Sequence, residues 1–218
     1  MSKLSRTGTI ERLESAGIIA IFRTDDAGQF VDVCRAMRDG GVFACEVTMT
    51  TPGALEILSQ AVDKLGDDHL VGVGSVLDAE TARAAILAGA QFIVSPTYCA
   101  KVVEMAHRYG LPAIPGAVTP TEILTAWQNG ADIVKIFPAS QLGPRYLKEI
   151  LAPMPQLHLM PTGGVNVDNA SDWLDAGATC LGLGTALVRK DLVLQGDWKA
   201  LTQLAKQLVD RVRQARAQ

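Results

Sequence analysis

Short apolar runs alternate along the whole chain with longer stretches in which apolar residues recur every three or four positions. The short runs predict strands over 18–23, 43–49, 70–76, 92–96, 113–118, 133–138, 157–162 and 180–187, with a helical pattern after each. Strands that alternate with helices pair in parallel through crossover helices. Eight such units with no low-complexity linker predict an α/β chain closed into a (β/α)8 TIM barrel, a single domain over 1–218. A doubly wound open sheet is the competing architecture. Its dinucleotide fingerprint is missing, because Gly72-Val73-Gly74-Ser75 has no third glycine at the required spacing. Residues 1–17, with Ile10-Glu11-Arg12-Leu13-Glu14 at their centre, predict an extra N-terminal helix beside the barrel or across its N-terminal end.

Local signals agree with this division. Thr119-Pro120-Thr121-Glu122 reads as a capping box with proline at the first helical position. Thr51-Pro52 and Asp78 predict two more helix starts, and Gly66, Gly89, Gly110, Gly130 and Gly177 fall where left-handed caps would end helices. A repeated phase adds a prediction about the interior. Gly41, Gly89, Gly130 and Gly177 each precede an even-numbered strand, and five residues on stand Glu46, Val94, Lys135 and Gly182. Alternate strands fill one interior layer of such a barrel, so these four residues should share a layer. Strands two and six lie opposite each other in a ring of eight. Glu46 and Lys135 should therefore face each other across the lumen, with Gly182 leaving room for a ligand.

Composition narrows the class. The chain is 48% hydrophobic and 20% charged, as a globular protein is, and its net charge of -3 gives no basic footprint for nucleic acid. No apolar run reaches membrane-spanning length, and the polar start Met1-Ser2-Lys3-Leu4-Ser5-Arg6 lacks the apolar core of a signal peptide. Cys34, Cys45, Cys99 and Cys180 show no CxxC spacing and read as reduced packing thiols of a cytoplasmic protein. His69, His107 and His158 are scattered, so no metal site is predicted.

Lys135 is the residue that asks for chemistry. It interrupts the apolar run Ile133-Val134-Lys135-Ile136-Phe137-Pro138, and Glu46 interrupts Phe43-Ala44-Cys45-Glu46-Val47-Thr48 in the same way. A lone charge in a buried strand is costly unless it is paired or used. A desolvated lysine gives up its proton more easily and becomes a nucleophilic amine, and a nearby carboxylate can move protons. The plainer readings are an edge-strand lysine that discourages aggregation and a buried ion pair without catalytic work. Strand six is internal in either architecture, which removes the first; the second uses the same positions and stays open. A glycine-rich cluster follows. Pro161-Thr162-Gly163-Gly164-Val165-Asn166 comes after strand seven, and Gly182-Leu183-Gly184-Thr185 closes strand eight. Loops at those two places commonly bind phosphate in this fold, through backbone N–H groups that glycine lets approach closely. Arg23, Thr48, Thr50, Ser75 and Pro96 also lie near C-terminal strand ends, where catalytic groups are usually placed, whereas Trp127, Trp173 and Trp198 read as packing residues.

Gly-Gly-Val…Glu-Val-Thr at 40–48, Val-Gly-Val-Gly-Ser-Val at 71–76, Phe-Ile-Val-Ser-Pro at 92–96, Ile-Pro-Gly at 114–116, Lys-Ile-Phe-Pro at 135–138 and Pro-Thr-Gly-Gly-Val at 161–165 resemble the KDPG (2-keto-3-deoxy-6-phosphogluconate) and 4-hydroxy-2-oxoglutarate aldolases. The similarity spans about residues 17–190 in order. It implies a class I, metal-independent, cofactor-free aldolase on a (β/α)8 barrel, usually a homotrimer, acting on a small 2-oxo acid. It also implies Lys135 as the Schiff-base lysine and Glu46 as the acid/base, with pyruvate recognition at Ser75 and Pro96 and stereoselectivity bearing on Thr162. Gly163, Gly164, Gly184 and Thr185 are then the phosphate-binding positions. The chain departs from the pattern at Thr50, where many bacterial members carry an arginine for the pyruvate carboxylate, and at Ser75, where threonine is usual. Arg23 or backbone N–H groups near Gly74 and Ser75 would take over the carboxylate. These departures leave the substrate open between KDPG, 4-hydroxy-2-oxoglutarate, a galactonate-derived stereoisomer and an unphosphorylated 2-oxo acid. The rival functions are a sugar-phosphate isomerase or epimerase, in which Lys135 is only electrostatic, and a silent binding protein on the same scaffold.

Overall fold

The computed structural model describes residues 4–24 and 28–217. Residues 1–3 of the polar start therefore lie outside the described residues. The chain opens with α1 (Arg6–Ala16) and then alternates β1 (Ile18–Phe22), α2 (Phe30–Asp39), β2 (Ala44–Thr48), α3 (Ala54–Leu65), β3 (Leu70–Gly74) and α4 (Ala79–Leu87). It continues through β4 (Ile93–Val94), α5 (Ala100–Arg108), β5 (Ala113–Ile114), β6 (Gly116–Ala117), α6 (Pro120–Gln128), β7 (Val134–Ile136) and α7 (Gly143–Leu151). It ends with β8 (Leu159–Pro161), α8 (Ala170–Asp175), β9 (Leu181–Leu183), α9 (Lys190–Gln195) and the long α10 (Trp198–Arg216). No described helix is long and apolar enough to cross a membrane.

All strand pairs are parallel. One curled sheet runs β5-β4-β3-β2-β1-β9 and a second runs β6-β7-β8. The sheets meet at two places. β5 and β6 are one predicted strand interrupted at Pro115, which has no N–H for the ladder although its carbonyl still accepts from the Lys135 N–H at 2.9 Å. On the other side, Thr162 bridges Gly182 in parallel, and the Thr179 N–H donates to the Leu159 carbonyl at 2.9 Å.

Alternation along the strands sorts the apolar residues into two clusters. Cys45, Val47, Val71, Val73, Ile93, Val134, Ile136, Leu159 and Leu181 face the helices. Ile19, Ala44, Leu70, Phe92, Val94, Ile114, Ile133, Met160 and Cys180 fill the concave side with Leu13 of α1. A strand's side chains alternate between faces, so Glu46, Lys135 and Gly182 share the inward parity with Val94, as the glycine phase predicts.

Leu13 is fully buried, which makes α1 a plug under the concave core. Polar contacts hold that plug at the N-terminal ends of the strands. Arg6 pairs with Asp132 at 2.8 Å, Arg12 donates to the carbonyls of Asp67 and Asp68, and Arg216 at the end of α10 donates to those of Glu14, Ser15 and Thr179. The buried Asp132 carboxylate also receives the Ala113 N–H at 2.8 Å and His107 Nε2 at 3.0 Å. Truncating a fully buried leucine costs both its transfer free energy and a cavity. Leu13→Ala should therefore lower unfolding free energy by about 2–5 kcal/mol, read as a lower denaturant midpoint.

Two sequence expectations about element ends need correction. α3 begins at Ala54 behind Gly53 (φ 71°), later than Thr51-Pro52 predicts. The Thr51 hydroxyl lies 3.4 Å from Thr48 Oγ1 and 3.5 Å from the Thr24 N–H, so it ties down strand ends instead of capping a helix. The last strand stops at Leu183, because the N–H groups of Leu187 and Val188 both turn back to the Gly184 carbonyl. Asp78 and the Thr119–Glu122 capping box stand where predicted, and the five cap glycines all have positive φ.

Candidate active site

Both inward charges are taken almost wholly out of water: Glu46 is 1% exposed and Lys135 is 4% exposed. Burial pushes the Glu46 carboxyl above its ordinary pKa, a shift only partly offset by the positive charges of Lys135 and Arg23. It pushes the Lys135 ammonium below its ordinary pKa; the Glu46 charge works against that shift and the Arg23 charge adds to it. Each group is thus moved toward its neutral form. They sense each other's charge without a direct ion pair, since neither carboxylate oxygen of Glu46 has a hydrogen-bond partner among the described residues. The Lys135 Nζ lies 5.1 Å from the centre of the Phe137 ring.

A cavity of about 290 Å³ opens beside Lys135 at the C-terminal ends of the strands. Arg23, Thr162, Gly163, Gly164, Gly184 and Thr185 line it with Lys135, so most of the predicted site converges on one place. Gly182 lies in its floor, where a Cβ would stand 2.2 Å from Thr162 Oγ1. That hydroxyl is buried and unpartnered among the described residues. The glycine-rich turn is fixed from behind. Asn166 accepts from the N–H groups of Asp168 and Asn169, while Asn169 accepts from the Asn166 N–H and donates to the Gly164 carbonyl. Gly163 and Gly164 have φ of 89° and 80°, a region glycine adopts without strain, and their lack of side chains leaves the cavity wall bare.

The remaining predicted residues sit apart from this cavity. Pro96 lines a neighbouring one of about 350 Å³ with Tyr98, Gly116 and Thr121, and Phe137 forms a wall of both. Glu46, Thr50 and Ser75 line neither. The exposed Thr50 is 2.9 Å from the Thr48 hydroxyl, where the resemblance would have an arginine. Ser75, directly after β3, takes a left-handed conformation (φ 60°) that is unusual for a residue with a side chain. Sequence reasoning passed over Phe137 and Ile21 of the cavity wall because both look like ordinary apolar strand residues.

The arrangement offers a neutral-leaning amine, a guanidinium and a glycine turn around one opening, with a neutral-leaning carboxyl buried behind it on β2. The family model described as KDPG and KHG aldolase matches residues 9–204. The chain is 36% identical over 173 residues, 79% of its length and 84% of the relative's, to the 2-dehydro-3-deoxy-6-phosphogalactonate aldolase of Escherichia coli (strain K12). A solved structure described as native KDPGal superposes with a TM-score of 0.86 at 34% identity, covering 92% of this chain and 96% of that one. A KDPG aldolase from Legionella pneumophila, solved with pyruvate captured as a covalent carbinolamine intermediate, superposes with a TM-score of 0.85 at 26% identity, covering 91% and 97%.

Proposed function

The chain belongs to the KDPG and KHG aldolase family, and we propose from that premise and the site's geometry that it cleaves a 2-keto-3-deoxy-6-phospho sugar acid to pyruvate and glyceraldehyde 3-phosphate. Cleavage of 4-hydroxy-2-oxoglutarate to pyruvate and glyoxylate uses the same chemistry. The observation that carries the reading is Lys135, an inward lysine whose burial favours the free amine at the edge of a cavity.

Lys135 Nζ attacks the C2 carbonyl, and the carbinolamine loses water with a proton from Glu46 to give a protonated imine. Glu46 then takes the C4 hydroxyl proton, the C3–C4 bond breaks, and its electron pair passes into the imine to form an enamine. The aldehyde departs. The enamine is protonated at C3, and water releases pyruvate and the free amine. Glu46 suits both directions of proton transfer because burial moves its pKa upward, toward neutrality. Thr162 faces the reacting carbons, while Ser75 and Pro96 receive pyruvate. Gly163, Gly164, Gly184 and Thr185 hold the phosphate, and Thr50 leaves the carboxylate to Arg23 or to backbone N–H groups near Gly74 and Ser75.

We read the two sheets as one closed (β/α)8 barrel in a single domain over 1–218, with α1 as its extra helix. The Thr162–Gly182 bridge and the continuity across Pro115 support that closure. A homotrimer is carried over from the family resemblance alone.

Incubation with pyruvate and borohydride, followed by intact mass and peptide mapping, tests the proposal. The expected result is a reduced pyruvyl adduct on Lys135. Folded protein with no adduct would sink the aldolase reading and favour a phosphate-binding isomerase or epimerase.

A further inference from the structure

Glu46 poses a positioning problem. Neither carboxylate oxygen has a hydrogen-bond partner among the described residues, so no donor there sets its orientation. Packing has to do so. In the β2–β3 register Glu46 stands opposite Gly72, with Gly74 two residues further toward the C-terminal end, opposite Thr48.

The two glycines are filled from different directions. A Cβ on Gly72 would lie 2.3 Å from the Phe92 ring, so that ring occupies the space beside Gly72. A Cβ on Gly74 would lie 1.6 Å from Glu46 Oε1, 2.3 Å from its Cδ and 2.9 Å from its Cγ. The Glu46 side chain therefore leans along the strands, over the bare Cα of Gly74, toward the end of the sheet that carries the cavity. Gly74 is not among the positive-φ glycines, so its backbone does not require glycine. The missing side chain is needed for room alone. Gly74 is also the residue just before Ser75, whose left-handed backbone ends the strand at that level.

We propose that Gly74 is a positioning residue for the reaction: its bare Cα is the seat that holds the Glu46 carboxylate at the height of the Lys135 amine. The proposal rests on the aldolase reading for its kinetic consequences, but the seat itself is a steric claim. Any side chain at position 74 must displace the carboxylate or the strand.

A double-mutant cycle with Gly74→Ala and Glu46→Ala tests it, because alanine at 46 removes the three atoms nearest the new Cβ. Gly74→Ala should lower kcat for retro-aldol cleavage at least about tenfold in the wild-type background and less than about twofold in the Glu46→Ala background. KM should change little, and the pH profile of kcat should shift in the single variant, which a general loosening of the barrel would not produce. Equal losses of kcat in the two backgrounds, or no loss in the first, would overturn the proposal.

Melting temperature supplies an arm that needs no activity. The double variant should melt close to Glu46→Ala, even if Gly74→Ala alone does not fold. A double variant as damaged as the single one would show that Gly74 serves another contact, and the seat would be rejected. A wild-type protein without a pyruvate adduct would reject the aldolase reading while leaving this melting comparison decisive for the seat.

Discussion

Lys135→Met is expected to abolish retro-aldol turnover, by at least ~10⁴-fold, while raising the melting temperature near neutral pH. The loss follows from the mechanism, since the imine nitrogen is the electron sink and methionine offers no amine. Mass spectrometry after borohydride treatment should show no pyruvyl adduct. Residual turnover within a factor of ten of wild type would contradict the assignment. The gain in stability follows from burial. Unfolded lysine holds its proton up to about pH 10.4. Lys135 gives its proton up at lower pH when folded, because burial disfavours the ammonium. Between those two pKa values the unfolded chain binds more protons, so wild-type stability rises with pH. Methionine removes that slope. The difference in melting temperature should therefore be full below the folded pKa and shrink as pH rises toward ~10.

Glu46→Gln should lower kcat by about 10²–10⁴, the usual contribution of a positioned acid or base, and change KM much less. Glutamine keeps the shape that lies over Gly74 and loses the ionisable carboxyl, so binding and proton transfer separate. Steady-state kinetics of cleavage gives the two parameters. A rise in KM at unchanged kcat would instead make Glu46 a binding group and leave proton transfer to another residue. Because Lys135 remains, pyruvate should still be trapped by borohydride, at a slower rate.

How much of this could be read from the chain alone depended on distance. Lys135 and Glu46 were legible because each breaks an apolar run, and the glycine phase placed both on the inward parity that the packing clusters confirm. The capping box at Thr119 was legible because all its partners lie within four residues. Other features depended on contacts far along the chain. Thr51 looks like a helix start until its hydroxyl is found beside Thr24 and Thr48. Gly74 shows in the sequence only as part of a Gly-x-Gly run without the nucleotide fingerprint, and the lean of Glu46 across β3 gives its bare Cα a steric reason. The separation of Pro96 from the Lys135 cavity depends on the Phe137 ring, whose orientation no local pattern encodes. The apolar run ending at Leu187 concealed a turn, since a buried turn and a buried strand have the same composition.

The plug formed by Leu13, clamped by Arg6, Arg12 and Arg216, sits at the end of the strands opposite the cavity. Mutation and selection can thus act on the two ends almost separately. Loops around the opening are free to drift toward a new sugar while the distant foundation goes on holding the strands in register. Relatives that part company in the sugar they cleave would then be expected to differ most around the mouth, and least at the buried residues that keep the base shut.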